Sequence, residues 1–330
     1  MEQKRKVLID GRWAGDTGIG RLYKEVMQAA PPEAACHWVT TKAGLGSMFS
    51  PYDLAKDISR SEADIFYSPS FMPPLYSKIP FIFTVHDLMH LFYYSAMHKL
   101  YYKHVIARLA LRAKQIITVS QFSKEQLVTL LGIPEHLITV IYNGVDAHFL
   151  QNEEAMSLNR PYFLYVGNRR TNKNLPAMLE AFAKAKIPDD FIFALSGKAH
   201  PALNALIQQL GIEKKVRFLG FIPEEDLPKL YKGAYATLFV SLMEGFGLPV
   251  LESMASGTPV ITSSVSSLPE IAGGAAVCVN PTKIANIQEG IEQLVNNGPL
   301  YEACIEKGIH RAREFPWSNT AQKTWELILT

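Results

Sequence analysis

Two glutamates eight positions apart, Glu244 and Glu252, enclose the string EGFGLPVLE and are the residues best placed to do chemistry in this chain. Gly245 and Gly247 lack a Cβ, so the backbone around Phe246 can turn tightly and approach a ligand closely. Pro249 suits the first turn of a helix, where its missing N–H costs nothing. The unpaired amides around Gly247 and Leu248 would then make an anion site with the helix dipole behind them. Glu252 falls about one turn into that helix and Glu244 stays in the loop before it. The pattern predicts a phosphate cradle flanked by two carboxylates that accept hydrogen bonds from sugar or ribose hydroxyls. A glycine-rich turn with two solvated glutamates would leave the same trace, so other residues must decide.

Three further clusters bear on that choice. GNRRTNKN puts Arg169, Arg170 and Lys173 into one loop after a strand, where cations and backbone amides bind phosphate well; a solvated charge cluster is the bland alternative. His86-Asp87 follows the apolar run Phe81–Val85, where an open α/β sheet puts its ligands; a histidine there could also cap a turn. Gly15, Gly18 and Gly20 sit in GRWAGDTGIG between a strand and a helix. Their spacing is not G-x-G-x-x-G and no acidic residue follows at the dinucleotide position, which argues against a nicotinamide site. No D-x-D pair stands in a suitable loop and no Cys/His set has metal-ligand spacing, so the expected chemistry uses no metal and no cofactor beyond a nucleotide-bearing substrate.

The elements that must hold these residues alternate strand and helix. Strands are expected at Val7–Asp10, Trp38–Thr41, Asp64–Tyr67, Phe81–Val85, Ile116–Ser120 and Ile138–Tyr142, with a helix at Arg21–Ala30. A polar, aperiodic stretch from Leu150 to Arg160 reads as a linker. A second series follows, with strands at Tyr162–Val166, Phe191–Leu195, Val216–Leu219, Ala236–Val240, Pro259–Thr262 and Ala276–Asn280. Such alternation favours parallel, doubly wound sheets, so the fold class is α/β with two Rossmann-like domains and a cleft between them. The expected division is residues 1–155, residues 156–315 and a terminal helical segment 316–330.

Bulk properties fit this picture. A chain of 330 residues, 48% apolar and 19% charged, is comfortable for two domains, and a net charge of +2 argues against bulk nucleic-acid binding. Cys36, Cys278 and Cys304 are odd in number and widely spaced, as in a reducing compartment. MEQKRKVLID is not a secretory leader, and no run of about 18 apolar residues occurs, so a cytoplasmic chain is expected. Residues 92–114 interleave Lys99, Lys103, Arg108, Arg112 and Lys114 with aromatic and aliphatic side chains. That stretch reads either as an amphipathic helix packed on a sheet or as a peripheral contact with an anionic membrane, and one helix could do both.

The complete string, E-x7-E around GFGLP, resembles the signature of the fourth sequence family of retaining glycosyltransferases, whose GT-B fold sets two Rossmann domains face to face. TVHDL, TVSQFS, NGVD, GNRRTNKNL, FLGFIPEEDL and the ending EFPWSNTAQKTWELILT match other family segments, so the resemblance covers essentially the whole chain. It implies an N-terminal acceptor-binding domain, a C-terminal nucleotide-sugar domain and a terminal helix that crosses back to the first. By resemblance Glu252 binds ribose hydroxyls, Glu244 the transferred sugar, and His86 the same sugar, with Asp87 behind it. Lys173 with Arg169 or Arg170 holds the donor diphosphate, aided by Gly245, Phe246, Gly247 and Leu248. The backbone at Phe221 and Ile222 reads the base, and Gly18 and Gly20 belong to a loop contacting diphosphate and acceptor. The short N-terminal domain, the IDGR start, TVHDL and GNRRTNKNL look most like mannosyl- or rhamnosyltransferases of O-antigen assembly, which implies GDP-mannose as donor and a glycan or lipid-linked glycan as acceptor, at the inner face of the plasma membrane. Two other readings are a nucleotide-sugar epimerase or hydrolase of the same shape and a catalytically silent nucleotide-sugar-binding scaffold. A glycosidase pair fits less well, because one glutamate lies in a helix and the other before it, beside a diphosphate site.

Overall fold

The structure, a computed structural model, describes residues 4–15, 17–41, 44, 47, 49–93 and 96–330. Asp16 of the first glycine loop, with Tyr94 and Ser95 of the basic stretch, lies outside them. Apolar runs bounded by turn residues form two six-stranded sheets. The first contains β1 (Arg5–Ile9), β2 (Ala34–Trp38), β3 (Ile65–Ser68), β4 (Phe81–Val85), β5 (Gln115–Thr118) and β6 (Ile138–Val140), parallel throughout in the order β2-β1-β3-β4-β5-β6. The second contains β7 (Tyr162–Tyr165), β8 (Ile192–Leu195), β9 (Val216–Phe218), β10 (Ala236–Phe239), β11 (Val260–Ser263) and β12 (Val277–Val279), also parallel, in the order β12-β11-β10-β7-β8-β9.

Every residue of β3, β4, β7, β8, β10 and β11 is buried. That is the mark of central parallel strands covered by helices on both faces, and it is why they read as unbroken apolar runs. In the second sheet the strand order reverses between β7 and β10. Open α/β sheets bind ligands outside the carboxyl ends of the strands flanking such a point.

The chain divides into a unit of Met1–Gly144 with Trp317–Thr330 and a unit of Val145–Pro316. The second unit therefore begins before the expected boundary at 155, and the stretch from Leu150 to Arg160 lies within it, opened by the helix Ala147–Gln151. The terminal helix Trp317–Leu329 belongs to the first unit. Its Trp325 Nε1 donates to the Val26 carbonyl at 2.7 Å and its Thr320 Oγ1 to the Tyr142 carbonyl at 2.7 Å. NGVD is more than a turn: a Cβ on Gly144 would stand 2.5 Å from Trp317 Cα, so glycine lets this helix lie against the end of the first unit's main segment.

Two expectations shift for physical reasons. The second strand lies at Ala34–Trp38 instead of Trp38–Thr41; as an edge strand with no fully buried position, it lacks the apolar signal of the central ones. The basic stretch is a series of short helical pieces, His90–Tyr93, Ala96–Tyr101 and Ala107–Ala110, with the π-helical turn Tyr102–Ile106 between the last two. Tyr102, Ile106 and Ala110 join the core beneath this stretch, while Met97, Leu100 and Leu111 are exposed.

Candidate functional site

The carboxyl ends of β7 and β10 open into the two loops that carry the site. After β7, Thr171–Lys173 makes a 3₁₀ turn, and Asn174, at φ +58°, ends it in the left-handed region that asparagine tolerates. The asparagines of GNRRTNKN stitch this loop to the one after β10. Asn172, 2% exposed, donates to the Met243 carbonyl at 3.0 Å and accepts through its own carbonyl from Leu242 N–H at 2.7 Å. Asn174 Nδ2 donates to the carbonyls of Val240 and Pro281 at 3.1 and 2.8 Å. Lys173 is thereby held beside the second loop, and its Nζ stands 2.6 Å from Glu244 Oε1. Both side chains are nearly buried, and the ammonium also lies 5.1 Å from the centre of the Phe239 ring.

Glu244 is fixed through its backbone as well. Its N–H donates to Ser266 Oγ at 3.2 Å, and Ser267 Oγ bonds the carbonyls of Glu244 and Phe246 at 3.0 and 2.8 Å. Gly247 follows at φ +121°, and a Cβ there would meet Leu268 at 2.7 Å, so only glycine fits the turn. The helix Leu248–Ala255 starts at once, with Pro249 in its first turn. In its first turn Val250 N–H closes on the Gly247 carbonyl at 3.0 Å and Pro249 has no N–H, so the Leu248 amide is the one with no helical acceptor, as expected at a helix start. Phe246 is 5% exposed and packs edge-on against Phe315, so its side chain serves the core and only its backbone borders the site.

Glu252, one turn further on, is 5% exposed and accepts a hydrogen bond from Tyr231 Oη at 2.9 Å. Tyr231 is fully buried, and its carbonyl takes the Thr258 hydroxyl at 2.6 Å, which fixes the ring's backbone. The two glutamates thus have different partners, a lysine for Glu244 and a tyrosine hydroxyl for Glu252.

The arginines separate sharply. Arg169 turns inward: Nη1 bonds the Gly167 carbonyl at 3.3 Å, Nη2 bonds the Ser196 carbonyl, and the guanidinium lies over the rings of Tyr165 and Phe218 at 5.6 and 6.0 Å. Arg170 is exposed. Of the two arginines, Arg170 is therefore the more accessible to a diphosphate. Ser196–Lys198 is paired with the next loop through mutual backbone bonds of Gly197 and Gly220, which present Phe221, 88% exposed, and the half-buried Ile222 at the β9 end. A single edge of the second sheet therefore carries Arg170, Phe221, Ile222, Lys173, Glu244 and the start of the Glu252 helix.

In the first unit, His86 follows β4 and its ring Nε2 stands 2.8 Å from the Pro69 carbonyl, so that nitrogen carries the proton. Burial lowers its pKa from the ordinary 6.5, against the opposing pull of that carbonyl and of Asp87. Asp87 itself accepts from Met89 N–H at 2.9 Å. Gly18 and Gly20 are not loop residues as expected. The helix starts at Gly18, capped by Thr17, whose Oγ1 accepts from Gly20 N–H at 3.0 Å, so that amide is spent. A Cβ on Gly20 would fall 1.8 Å from the Gly15 carbonyl oxygen, which shows a packing need at that position.

Sequence reading missed Asn172, Asn174, Ser266, Ser267 and Tyr231, and it also missed Asp10. Asp10 is wholly buried after β1 and binds Arg12 at 2.7 and 2.8 Å and the Ser68 hydroxyl at 3.3 Å. Its place just beyond an apolar strand in IDGR was the available signal. A cavity of 380 Å³ along β2, against Asp57 and Arg60, takes in none of the site residues. Among the described residues no cluster of three or more His, Cys, Asp or Glu could hold a metal ion, and no helix is long and apolar enough to cross a membrane.

Comparison with known proteins matches this frame. A family model described as glycosyl transferases group 1 matches residues 147–311, and one described as glycosyltransferase family 4 matches residues 23–149. The O-antigen chain mannosyltransferase B of Escherichia coli is 30% identical over 226 residues, which cover 64% of this chain and 59% of that protein. The O-antigen chain mannosyltransferase RfbU of Salmonella typhimurium is 32% identical over 217 residues, 64% of this chain and 60% of the relative. The match thus spans about 60% of the length of these curated relatives. The crystal structure of Anabaena Alr3699/HepE in complex with UDP and glucose superposes over 98% of both chains with a TM-score of 0.77 at 19% identity, which shows a common fold. With half of its length under the first of these family models, the chain belongs to the glycosyl transferases of group 1.

Proposed function

We propose that the chain is a retaining glycosyltransferase that moves a hexose, with mannose favoured, from a nucleotide-diphosphate donor to a glycan or lipid-linked acceptor in bacterial surface polysaccharide synthesis. The observation that carries this reading is the ion pair of Lys173 and Glu244, set by two loops at the strand-order reversal of the second sheet. A donor of this class brings a diphosphate for the lysine and sugar hydroxyls for the carboxylate, so one ligand satisfies both partners at once. Lys173, Arg170 and the amides at Gly247 and Leu248 would stabilise the charge that grows on the leaving diphosphate, with no metal needed in the scheme. Glu252, held by Tyr231, would accept from the ribose hydroxyls, and the backbone at Phe221 and Ile222 would border the base.

In this scheme the bond from the anomeric carbon to the diphosphate oxygen breaks and the acceptor oxygen bonds to the same face. The acceptor's proton passes to the departing phosphate. No protein nucleophile is assigned. His86, neutral at physiological pH, would serve as a hydrogen-bonding group for the transferred sugar. GDP-mannose is the favoured donor, on the likeness to relatives named O-antigen chain mannosyltransferases.

A lipid-linked acceptor would bring the enzyme to the inner face of the plasma membrane. The stretch 92–114 supports such a peripheral contact: between Asp87 and Glu125 the sequence has Lys99, Lys103, Arg108, Arg112, Lys114 and Lys124 and no carboxylate. Phe92, Met97, Leu100 and Leu111 are exposed among those cations.

The test is a thermal-shift panel with GDP, UDP, dTDP and ADP and their sugar conjugates, followed by turnover with and without a glycan acceptor. Stabilisation by one base family and acceptor-dependent release of the nucleoside diphosphate are expected. Donor turnover without acceptor would favour the epimerase or hydrolase reading, and binding without any turnover the silent scaffold. No binding would overturn the proposal.

A further inference from the structure

Asn159, Asn174 and Ser266 are the non-glycine residues with positive φ among the described residues, and serine is the type least at home there. Ser266 sits at φ +61° in the loop after β11, where glycine would fit without strain. Backbone strain of this kind persists where surrounding structure holds it for a purpose. The hydroxyls of Ser266 and its neighbour are used differently. Ser267 is buried, and its Oγ lies against the carbonyls of Glu244 and Phe246, which take up its proton. Ser266 Oγ instead accepts the Glu244 N–H at 3.2 Å, which leaves its own proton to give. Among the described residues no acceptor takes that proton. The side chain is half-buried at the edge of the site, beside the residue assigned to the transferred sugar.

We infer that Ser266 donates this proton to an oxygen of the transferred sugar and so helps the site to recognise the hexose and not merely the nucleotide. This rests on the donor reading above. Ser267 pins the loop, and Ser266, while it accepts the Glu244 N–H, reads the ligand in front of it. A hydroxyl at a strained left-handed position is retained because the contact needs both the turn and the proton.

The test compares wild type, Ser266→Gly and Ser266→Ala by calorimetry with two probe pairs, GDP with GDP-mannose and UDP with UDP-glucose. Ser266→Gly removes strain and hydroxyl together, and its melting temperature should equal or exceed that of wild type. Ser266→Ala keeps the strain and lacks the hydroxyl. For the pair that wild type binds, both variants should hold the bare nucleoside diphosphate within about twofold of wild type. Both should bind the sugar conjugate about five- to tenfold more weakly, the worth of one neutral hydrogen bond. A Ser266→Gly protein that binds the conjugate as wild type does overturns the inference. Equal weakening of both members of a pair also overturns it, since the hydroxyl would then only hold the loop. Wild type that binds neither pair overturns the donor reading and this inference with it, a result distinct from the other two.

Discussion

Glu244→Gln should make the chain bind a bare nucleoside diphosphate more tightly while it suppresses sugar transfer. Glu244 Oε1 stands 2.6 Å from Lys173 Nζ, with the side chains 9% and 13% exposed. At an effective dielectric of about 20, opposite unit charges about 4 Å apart attract by about 4 kcal/mol. A diphosphate that reaches Lys173 must share that cation with Glu244 and must approach a like charge. If neutralising Glu244 returns a third to a half of the attraction, the gain is about 1.3–2 kcal/mol, or about ten- to thirtyfold in Kd. For the nucleotide sugar, replacing a charged acceptor of its hydroxyls costs about 1.5–3 kcal/mol, which offsets the gain. The two ligands should therefore diverge in one variant: GDP tighter, GDP-mannose little changed or weaker. Glutamine keeps the shape, and its amide oxygen still accepts from Lys173, so the buried ammonium is not stranded. Calorimetry with both ligands, a thermal melt to confirm folding, and turnover with acceptor complete the experiment. A folded Glu244→Gln protein whose GDP affinity is unchanged or reduced would refute the argument, because the diphosphate would then not compete for Lys173.

Three other outcomes follow from the geometry. Lys173→Ala should lower turnover by about 10²–10³-fold, the scale for losing one charge-stabilising group, with a smaller loss in folding; near-normal turnover would remove Lys173 from the diphosphate. Glu252→Ala should weaken donor binding by about 1.5–3 kcal/mol, and Tyr231→Phe by a smaller step of about 1 kcal/mol, because its hydroxyl orients the carboxylate without replacing it; donor affinity unmoved in Glu252→Ala would sink that assignment. Burial lowers the His86 pKa from 6.5, so between the folded value and 6.5 the unfolded chain binds more protons. Its contribution to stability is complete above about 6.5 and is lost as pH falls through the folded value, with a slope of at most about 1.4 kcal/mol per pH unit. Urea melts from pH 8 to pH 5 should show a shallower decline for His86→Asn than for wild type, and parallel declines would contradict the assigned shift.

The sequence made the fold legible where burial is two-sided. Phe81–Val85 reads as a strand residue for residue because every position is buried, whereas Ala34–Trp38 at the sheet edge does not. Glu244, Glu252, Gly247 and Lys173 were legible because their types are unusual together and their backbone demands are strict. Their supports were not, since nothing in a linear string tells that Asn172 reaches Met243 or that Tyr231 reaches Glu252. Arg169 shows the limit plainly. An arginine next to a phosphate-type loop suggests an anion partner, yet carbonyls at Gly167 and Ser196 and the rings of Tyr165 and Phe218 claim it first. Gly20 shows the converse, a glycine in a functional-looking loop whose missing Cβ makes room for the Gly15 carbonyl.

The environments of the two glutamates explain why the pair needs such different supports. Glu252 lies on a helix, 5% exposed, with its carboxylate oriented by a buried tyrosine, so its acceptor geometry is set before any ligand arrives. Glu244 lies on a loop, and what is fixed there is the backbone, through Ser266, Ser267 and the adjoining Asn172 contact, while the carboxylate is held by a single lysine. A preset acceptor suits the part of a donor that is the same before and after reaction. An exchangeable ion pair suits the bond that breaks, because the lysine can follow the charge as it moves onto the phosphate and the carboxylate can keep the sugar. On this physical ground the proposed scheme puts the nucleoside at Glu252 and the reacting hexose at Glu244, since the reverse assignment would place the rigid contact where charge must move.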